Sequence, residues 1–138
     1  MQIQIYKLPN LFLDQLPRNI LTGMLLSGDR ISCCTHAAMA TDGDKLLGIC
    51  TIAPKGEQNS GKPTIVGLYV LPQYRCRAIG KRLFIIAIEF MLARQLIPIH
   101  IDAMSSNVNR LIKILPAQLA CNLIVIEHHG ILDCMQHM

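Results

Sequence analysis

Residues 64–94 read TIVGLYVLPQYRCRAIGKRLFIIAIEFMLAR. The first eight residues are almost all apolar, which predicts a buried strand. Pro72 interrupts this pattern, and a short basic turn, Arg75–Arg82, follows. Leu83–Ala93 is apolar nearly all round, with Glu89 as its single charge, and it has the length of a buried helix. The stretch therefore predicts a strand, a phosphate-sized loop and a helix in succession.

The basic turn holds the excess positive charge of the chain. Four basic residues, Arg75, Arg77, Lys81 and Arg82, fall within eight positions. The chain has 13 basic and 9 acidic residues, so these four account for the whole net charge of +4. Unpaired N–H groups and the dipole at a helix start attract anions. The pattern favours a compact polyanion such as phosphate and disfavours a nucleic-acid partner. A solvated basic helix start is the alternative.

The composition fits one domain spanning residues 1–138. Met1–Ile5 lacks the basic and then apolar run of a secretion signal, and the apolar helix is too short for a bilayer. We therefore expect a cytoplasmic protein without membrane contact. The six Cys and five His show no ligand spacing, so no metal is expected. The hydrophobic content of 51% is compatible with a homodimer.

The rest of the chain alternates between strand and helix patterns. Strands are predicted at Gln2–Tyr6, Ile31–Ala40, Lys45–Ala53, Thr64–Leu71, Ile97–Asp102, Asn122–Glu127 and Ile131–Met135, with a hairpin turn at 41–44. Helices are predicted at Leu11–Leu26, interrupted by Pro17, at Leu83–Ala93 and at Asn107–Leu115, with an exposed loop at Pro54–Pro63. This order predicts a mixed α/β (α+β) fold.

Val66–Leu83 resembles the acetyl-CoA-binding motif of the GCN5-related N-acetyltransferase (GNAT) superfamily. Val70 is followed by Leu-Pro-Gln-Tyr-Arg before the loop and by Ile-Gly-Lys-Arg-Leu after it, close to the family's usual wording. One departure is Ala78, where the family's first Gly is usual. A methyl group there restricts positive φ and crowds a pyrophosphate. The resemblance implies a central, mostly antiparallel sheet with helices on both faces.

The resemblance also implies acetyl-CoA as co-substrate and direct acetylation of a primary amine. In the family the pantetheine arm runs along the strand that matches Leu68–Val70, whose backbone also polarises the thioester carbonyl. The pyrophosphate lies on the loop that matches Cys76–Lys81. The implied cofactor-binding residues are Leu68, Tyr69, Val70, Arg75, Cys76, Arg77, Ala78, Ile79, Gly80, Lys81 and Asn107.

The acid and base that are usual in the family are missing from their places. Thr64–Val70 has no Glu to act as base, and Asn107–Leu115 has no Tyr to protonate the thiolate. His100 and Asp102 are two apart on a predicted strand and share a face, so they are candidates for a histidine–carboxylate base. A structural pair is the alternative. Tyr69 is either a proton donor or a packing residue.

Three functional hypotheses follow. The first is an N-acetyltransferase acting on a primary amine. The second is a non-catalytic relative that binds acetyl-CoA and regulates a protein partner; the missing Glu, the missing Tyr and Ala78 favour it. The third is a toxin-type acetyltransferase acting on aminoacyl-tRNA, which requires a second basic patch that the sequence does not show.

Overall fold

The computed structural model describes residues 1–7, 16–26, 34–54, 61–102 and 106–126. Its strands are β1 (Gln2–Lys7), β2 (His36–Asp42), β3 (Lys45–Ala53), β4 (Thr64–Val70), β5 (Ile99–Asp102) and β6 (Leu123–Ile126). Its helices are α1 (Arg18–Leu26), α2 (Ile79–Ala93), α3 (Ser106–Ile114) and α4 (Ala117–Ala120), with a short 3-10 helix at Pro72–Tyr74. The predicted strand Ile131–Met135 lies outside the described residues.

The six strands form one sheet in the order in which they occur in the chain. β1 to β4 are joined by antiparallel pairing, and β4, β5 and β6 are parallel to one another. The parallel connections pass through α2 and through α3 with α4, because a parallel crossover needs more chain than a hairpin. The prediction of a mixed and mostly antiparallel sheet is confirmed.

Each face of the sheet buries its own apolar cluster. α2 covers one face, where Leu83, Phe84 and Met91 pack against inward-pointing strand residues such as Ile52 and Ile99. α1 covers the other face through a smaller cluster, in which Ile20 and Met24 pack with Ile49 and Val66. Strand side chains alternate between the two faces, which is why both can be apolar. Helices therefore lie on both faces, as predicted.

Several boundaries differ from those predicted. α2 begins at Ile79 and not at Leu83, so Gly80, Lys81 and Arg82 lie in its first turn. Ile79 is buried in the α2-side core, and that burial extends the helix backwards by a turn. β5 begins at Ile99 and not at Ile97, because Pro98 has no N–H for the ladder. Ile99 N–H donates to Asn122 O at 2.8 Å.

The N-terminal half shows similar differences. β2 begins at His36 and not at Ile31, and it runs to Asp42, so the Asp-Gly hairpin turn is shorter than predicted. α1 begins after Pro17, whose carbonyl accepts a hydrogen bond from Leu21 N–H at 3.0 Å. This agrees with a proline that interrupts the helical pattern. The remaining predictions for this half of the chain concern residues 8–15, 31–33 and 55–60, which lie outside the described part of the structure.

Candidate functional site

A cleft opens in the sheet where β4 and β5 separate. In the described part of the chain these strands pair only at Thr64–His100 and Ile65–Ile101, so the later part of β4 has an open edge. The cleft has a volume of about 810 Å³, a size typical of ligand sites. It is lined by Ile65, Val66, Gly67, Leu68, Tyr69, Val70, Tyr74, Arg75, Cys76, Ala78, Ile79, Gly80, Lys81, Phe84, Ile101, Val108, Arg110, Leu111 and Ile114.

β4 carries a β-bulge at Val66 in its pairing with β3. In β3, Ile52 directly follows Thr51. Their partners in β4, Ile65 and Gly67, are two residues apart, so Val66 is the extra residue. A bulge disrupts the ladder locally and bends the strand. Beyond Ile65, β4 has no partner in the described part of β5, so backbone polar groups on that edge can meet a ligand in the cleft, as an oxyanion donor must.

The loop before α2 presents backbone N–H groups to the other end of the cleft. Arg82 N–H donates the first helical hydrogen bond, to Ala78 O at 3.1 Å, so the amides of Ile79, Gly80 and Lys81 have no helical acceptor. Ala78 caps the helix in the left-handed conformation, with φ 61° and ψ 14°, and adds no side-chain hydrogen bond. Cys76 also has positive φ, 64°. The loop therefore has the geometry of an anion site.

The basic side chains of the loop do not all face the cleft. Arg75 Nε donates to Val70 O at 2.9 Å, and its guanidinium lies 5.4 Å from the ring centre of Tyr69. Arg77 lies 5.6 Å from the ring centre of Tyr74 and is not part of the cleft lining. Lys81 does line it. Arg75 therefore braces the loop against the end of β4, and Lys81 is the loop cation best placed for a bound anion.

Tyr69 faces α1 because of the bulge. Leu68 and Val70 pack in the α2-side core, whereas Tyr69 packs in the α1-side cluster. Its phenol ring lies directly against Gly23 of α1, and a Cβ atom at Gly23 would overlap the ring. Tyr69 also lines the cleft. Its ring thus forms part of the wall between the cleft and α1.

His100 lies at the closed end of the cleft. It pairs with Thr64 in β4 and with Ile124 in β6, one residue before the last pair of β4 and β5. Its side chain is 6% exposed, and its Nδ1 has no hydrogen-bond partner among the described residues. Ile99 and Ile101 pack on the α2 side, so alternation places His100 on the α1 face. His100 does not line the cleft itself.

The structure brings together nine of the eleven cofactor-binding residues that the resemblance implies, since all but Arg77 and Asn107 line the cleft. Asn107 is in the first turn of α3 and Asp102 ends β5, but the side chains of both lie outside the described set. Of the catalytic candidates, Tyr69 lines the cleft and His100 lies beside it. In the described part of the chain, no three His, Cys, Asp or Glu side chains cluster to hold a metal ion.

The sequence analysis assigned Asn107 of α3 to the site but missed Arg110 and Ile114 of that helix and the contribution of α1. Arg110 and Ile114 of α3 line the cleft, one helical turn apart, and that spacing was a usable signal once the helix had been predicted. Gly23 gave no such signal, because its contact with Tyr69 is made between distant parts of the chain. Its role becomes visible only in the fold.

The family model of the acetyltransferase (GNAT) family matches residues 6–112 of this chain. The chain belongs to the GNAT family. The family and the fold implied by the loop motif are therefore confirmed, and acetyl transfer from acetyl-CoA is the chemistry of the family. The matched range includes the bulged strand, the anion loop, α2 and most of α3. No curated protein matches the sequence significantly.

Solved structures show the same fold as this GNAT chain. An aminoglycoside acetyltransferase from an uncultured soil metagenomic sample matches with a TM-score of 0.54 and 15% identity, over 80% of this chain and 83% of that one. The ribosomal-protein-S18-alanine N-acetyltransferase of Escherichia coli matches with a TM-score of 0.54 and 12% identity, over 81% and 75%. A ribosomal-protein-alanine N-acetyltransferase of Brucella melitensis biovar Abortus 2308 matches with a TM-score of 0.51 and 13% identity, over 100% and 89%.

None of the described helices of this GNAT protein combines the length and the hydropathy needed to cross a bilayer.

Proposed function

We propose that the protein transfers the acetyl group of acetyl-CoA directly to a primary amine. The observation that carries the proposal is a single cleft with two kinds of exposed backbone. The bulged edge of β4 lies along it, and the free amides at the start of α2 lie at its end. The first suits a thioester carbonyl, and the second suits a pyrophosphate. One extended molecule that carries both a thioester and a pyrophosphate can therefore occupy both parts of the cleft.

In the proposed reaction the thioester supplies the acyl group. The amine nitrogen attacks the carbonyl carbon, the new C–N bond forms, the C–S bond breaks, and the sulfur leaves as thiolate. The β4 backbone next to Val66 donates to the oxygen that becomes negative. The amides of Ile79, Gly80 and Lys81 hold the phosphates and so fix the thioester along the strand. Such positioning contributes several kcal/mol, of the order of 7–11 in favourable intramolecular cases.

The site offers few groups that can take up or donate a proton during the reaction. β4 carries no carboxylate, and the neutral proton donors among the described residues that line the cleft are Tyr69, Tyr74 and Cys76. A thiol has a pKa near 8.5, so a thiolate leaves without much assistance. Acid or base catalysis adds roughly a hundred- to ten-thousand-fold. Tyr69, His100 and Asp102 remain the candidate proton carriers, and positioning alone supports a slower reaction.

A non-catalytic acetyl-CoA-binding regulator is the second candidate. The missing carboxylate in β4 favours it, as does a loop whose left-handed positions are Cys76 and Ala78. Both hypotheses predict the same cofactor cleft. They differ in whether CoA is released when amines are supplied.

Thermal unfolding with and without ligand tests the cofactor site first. Acetyl-CoA at about a hundred times its Kd should add roughly 2.7 kcal/mol to the free energy of unfolding, which raises Tm by several degrees. CoA should act similarly and ATP should not. Release of CoA thiol from acetyl-CoA with a panel of primary amines then separates the enzyme from the regulator. An absent thermal shift would contradict both candidates.

Three further expectations stay predictions. We propose that residues 1–138 act as one domain, that the protein is cytoplasmic, and that it can form a homodimer. Sedimentation or light scattering of the purified chain tests the last of these. A monomer at every accessible concentration would contradict it.

A further inference from the structure

We propose that His100 accepts the proton that the acceptor amine gives up during acetyl transfer. This inference rests on the proposed function and assigns the base that β4 lacks. Three observations carry it: the burial of His100, an Nδ1 atom with no partner among the residues that the structure describes, and its place where β4 and β5 begin to separate.

The unpartnered nitrogen needs an explanation. His100 is 6% exposed, and its Nδ1 finds no hydrogen-bond partner in the described part of the protein. A buried polar atom without a partner costs roughly 1–3 kcal/mol, and native proteins contain few of them. When the ring proton is on Nε2, Nδ1 is a free acceptor. Since Nδ1 is buried and His100 lies beside the cleft lining, the arrangement fits a nitrogen whose partner is a water at the closed end of the cleft.

The position of His100 places this nitrogen near the point at which the cleft opens. Thr64 and Ile65 are the two β4 residues paired with β5 before the cleft opens, and the bulge at Val66 follows at once. Val66 packs on the α1 side, the face on which His100 also lies. Because His100 does not itself line the cleft, it would reach a group that reacts at the bulge through a bridging water.

The two faces of the cleft then have different tasks. The anion loop and α2 hold the phosphates on one side. Tyr69 and His100 lie on the other side, which faces α1. The attacking nitrogen loses one proton, which passes through the bridging water to His100 Nδ1 as the C–N bond forms, and the imidazolium later releases it to solvent. The sulfur leaves as thiolate, so charge and protons balance.

Among the described residues, few charged groups are placed near His100. The opposing residues, Thr64 in β4 and Ile124 in β6, are uncharged. The titratable residues closest to it along the chain of β5 and β4 are Asp102, two positions further along β5, and Lys62, which precedes β4 by two positions. The described part of α1 contributes Arg18, which is exposed. Asp102 is therefore the alternative candidate for the base.

The test is the pH dependence of CoA release from acetyl-CoA, with water or a reactive primary amine as acceptor. His100→Asn keeps a polar atom near the place of Nδ1 but cannot take up a proton. It should lower kcat roughly a hundredfold or more and remove the acidic limb of the kcat/KM profile. The thermal shift caused by CoA should persist. His36→Asn is the matched control, because His36 is also buried but its Nδ1 already bonds to Thr35 Oγ1 at 2.8 Å.

The outcomes are distinguishable. An active wild type with an equally active His100→Asn variant would overturn the assignment of the base alone. Loss of the CoA-induced shift in that variant would make His100 structural. A wild type that binds acetyl-CoA but releases no CoA would reject the proposed function and the base together. If His100→Asn does not fold, the temperature dependence of the acidic limb of the wild-type kcat/KM profile gives the enthalpy of ionisation of the base. An enthalpy typical of an imidazole supports His100, and one typical of a carboxylate assigns the role to Asp102.

Discussion

Ala78 and Cys76 hold the anion loop in a conformation that normally belongs to glycine. Their φ values are 61° and 64°, and the left-handed region costs an L-residue roughly 1–2 kcal/mol. The conformation is retained because it turns the chain from the 3-10 helix into α2 with its free amides facing the cleft. The loop thus lines the cleft although Ala78 stands where the first glycine of the family motif is usual.

Ala78→Gly should therefore stabilise the protein and tighten acetyl-CoA binding. We expect a gain of about 0.5–1 kcal/mol, since the relieved strain exceeds the added entropy of the unfolded chain. Removal of the methyl group also widens the approach to the amides. Thermal unfolding without and with CoA measures both effects. Ala93→Gly, at an ordinary position near the end of α2, should instead lose up to about 1 kcal/mol, and a gain there would refute the argument.

His36 should make the protein less stable in acid. Burial lowers its pKa below the usual 6.5, and the charges of Arg94 and Lys7 lower it further. The folded state therefore binds a proton less readily than the unfolded state does. The stabilisation is complete above pH 6.5 and is lost as the pH falls below that value towards the lowered pKa.

His36→Gln should flatten this dependence between pH 7 and pH 5, because Gln does not titrate. The ring of His36 also packs against Phe90, with centres 5.3 Å apart, so the variant loses some stability at every pH. Denaturant unfolding at a series of pH values separates the constant loss from the change in slope. A variant with the slope of the wild type would show that another group controls it.

At the scale of elements, α2 ends in a Schellman motif that lacks its usual glycine. Leu96 N–H donates to Met91 O at 2.9 Å, and Gln95 N–H donates to Leu92 O at 3.0 Å. Gln95 has φ 59° and an exposed side chain. This is the position at which helices usually place Gly.

Gln95→Gly should raise the free energy of unfolding by about 0.5–1 kcal/mol, for the reason given for Ala78. In a chain of this size that corresponds to a rise in Tm of a few degrees. Gln95→Ala keeps the strain and should leave Tm nearly unchanged. Equal stabilisation by both substitutions would assign the effect to the lost Gln side chain and not to the backbone.

The contact of α1 with β4 depends on the missing side chain of Gly23. At an exposed helical position, Gly→Ala stabilises by up to about 1 kcal/mol. Here the new Cβ would overlap the ring of Tyr69, so Gly23→Ala should destabilise by about 1–3 kcal/mol. In a Tyr69→Ala background the same substitution should be neutral or stabilising. Additive effects in this double-mutant cycle would contradict the proposed close packing.

The sequence predicted most of the elements but little of their junctions. The strand, loop and helix of residues 64–94 were recognisable because apolar runs, Pro72 and the basic cluster are local signals. The start of α2 was misplaced because the burial of Ile79 is decided by the tertiary fold. The bulge at Val66 was invisible, since it is a relation between β3 and β4. The face on which Tyr69 lies was equally beyond the sequence, because the bulge sets it.

At the scale of the whole molecule, the excess positive charge lies beside the cleft. The net charge of +4 equals the four basic residues of the loop and the start of α2. Of these, Arg75 is bonded to the end of β4 and Arg77 lies over Tyr74. The fold thus converts a cluster of charge in the sequence into a loop braced by arginine, with Lys81 left on the cleft.

This arrangement predicts that CoA binding weakens with salt, and that Lys81 contributes to that dependence. Lys81→Gln should weaken CoA binding by about 0.5–1 kcal/mol, or roughly two- to fivefold, because an ion pair near the surface is partly screened. Lys113→Gln removes the same charge from an exposed position of α3 outside the cleft lining, and it should leave the affinity nearly unchanged. Calorimetric titration of each variant at low and high salt measures both effects. If the two lysines behaved alike, general attraction by the net charge would explain the binding, and the cleft would hold no specific phosphate contact at Lys81.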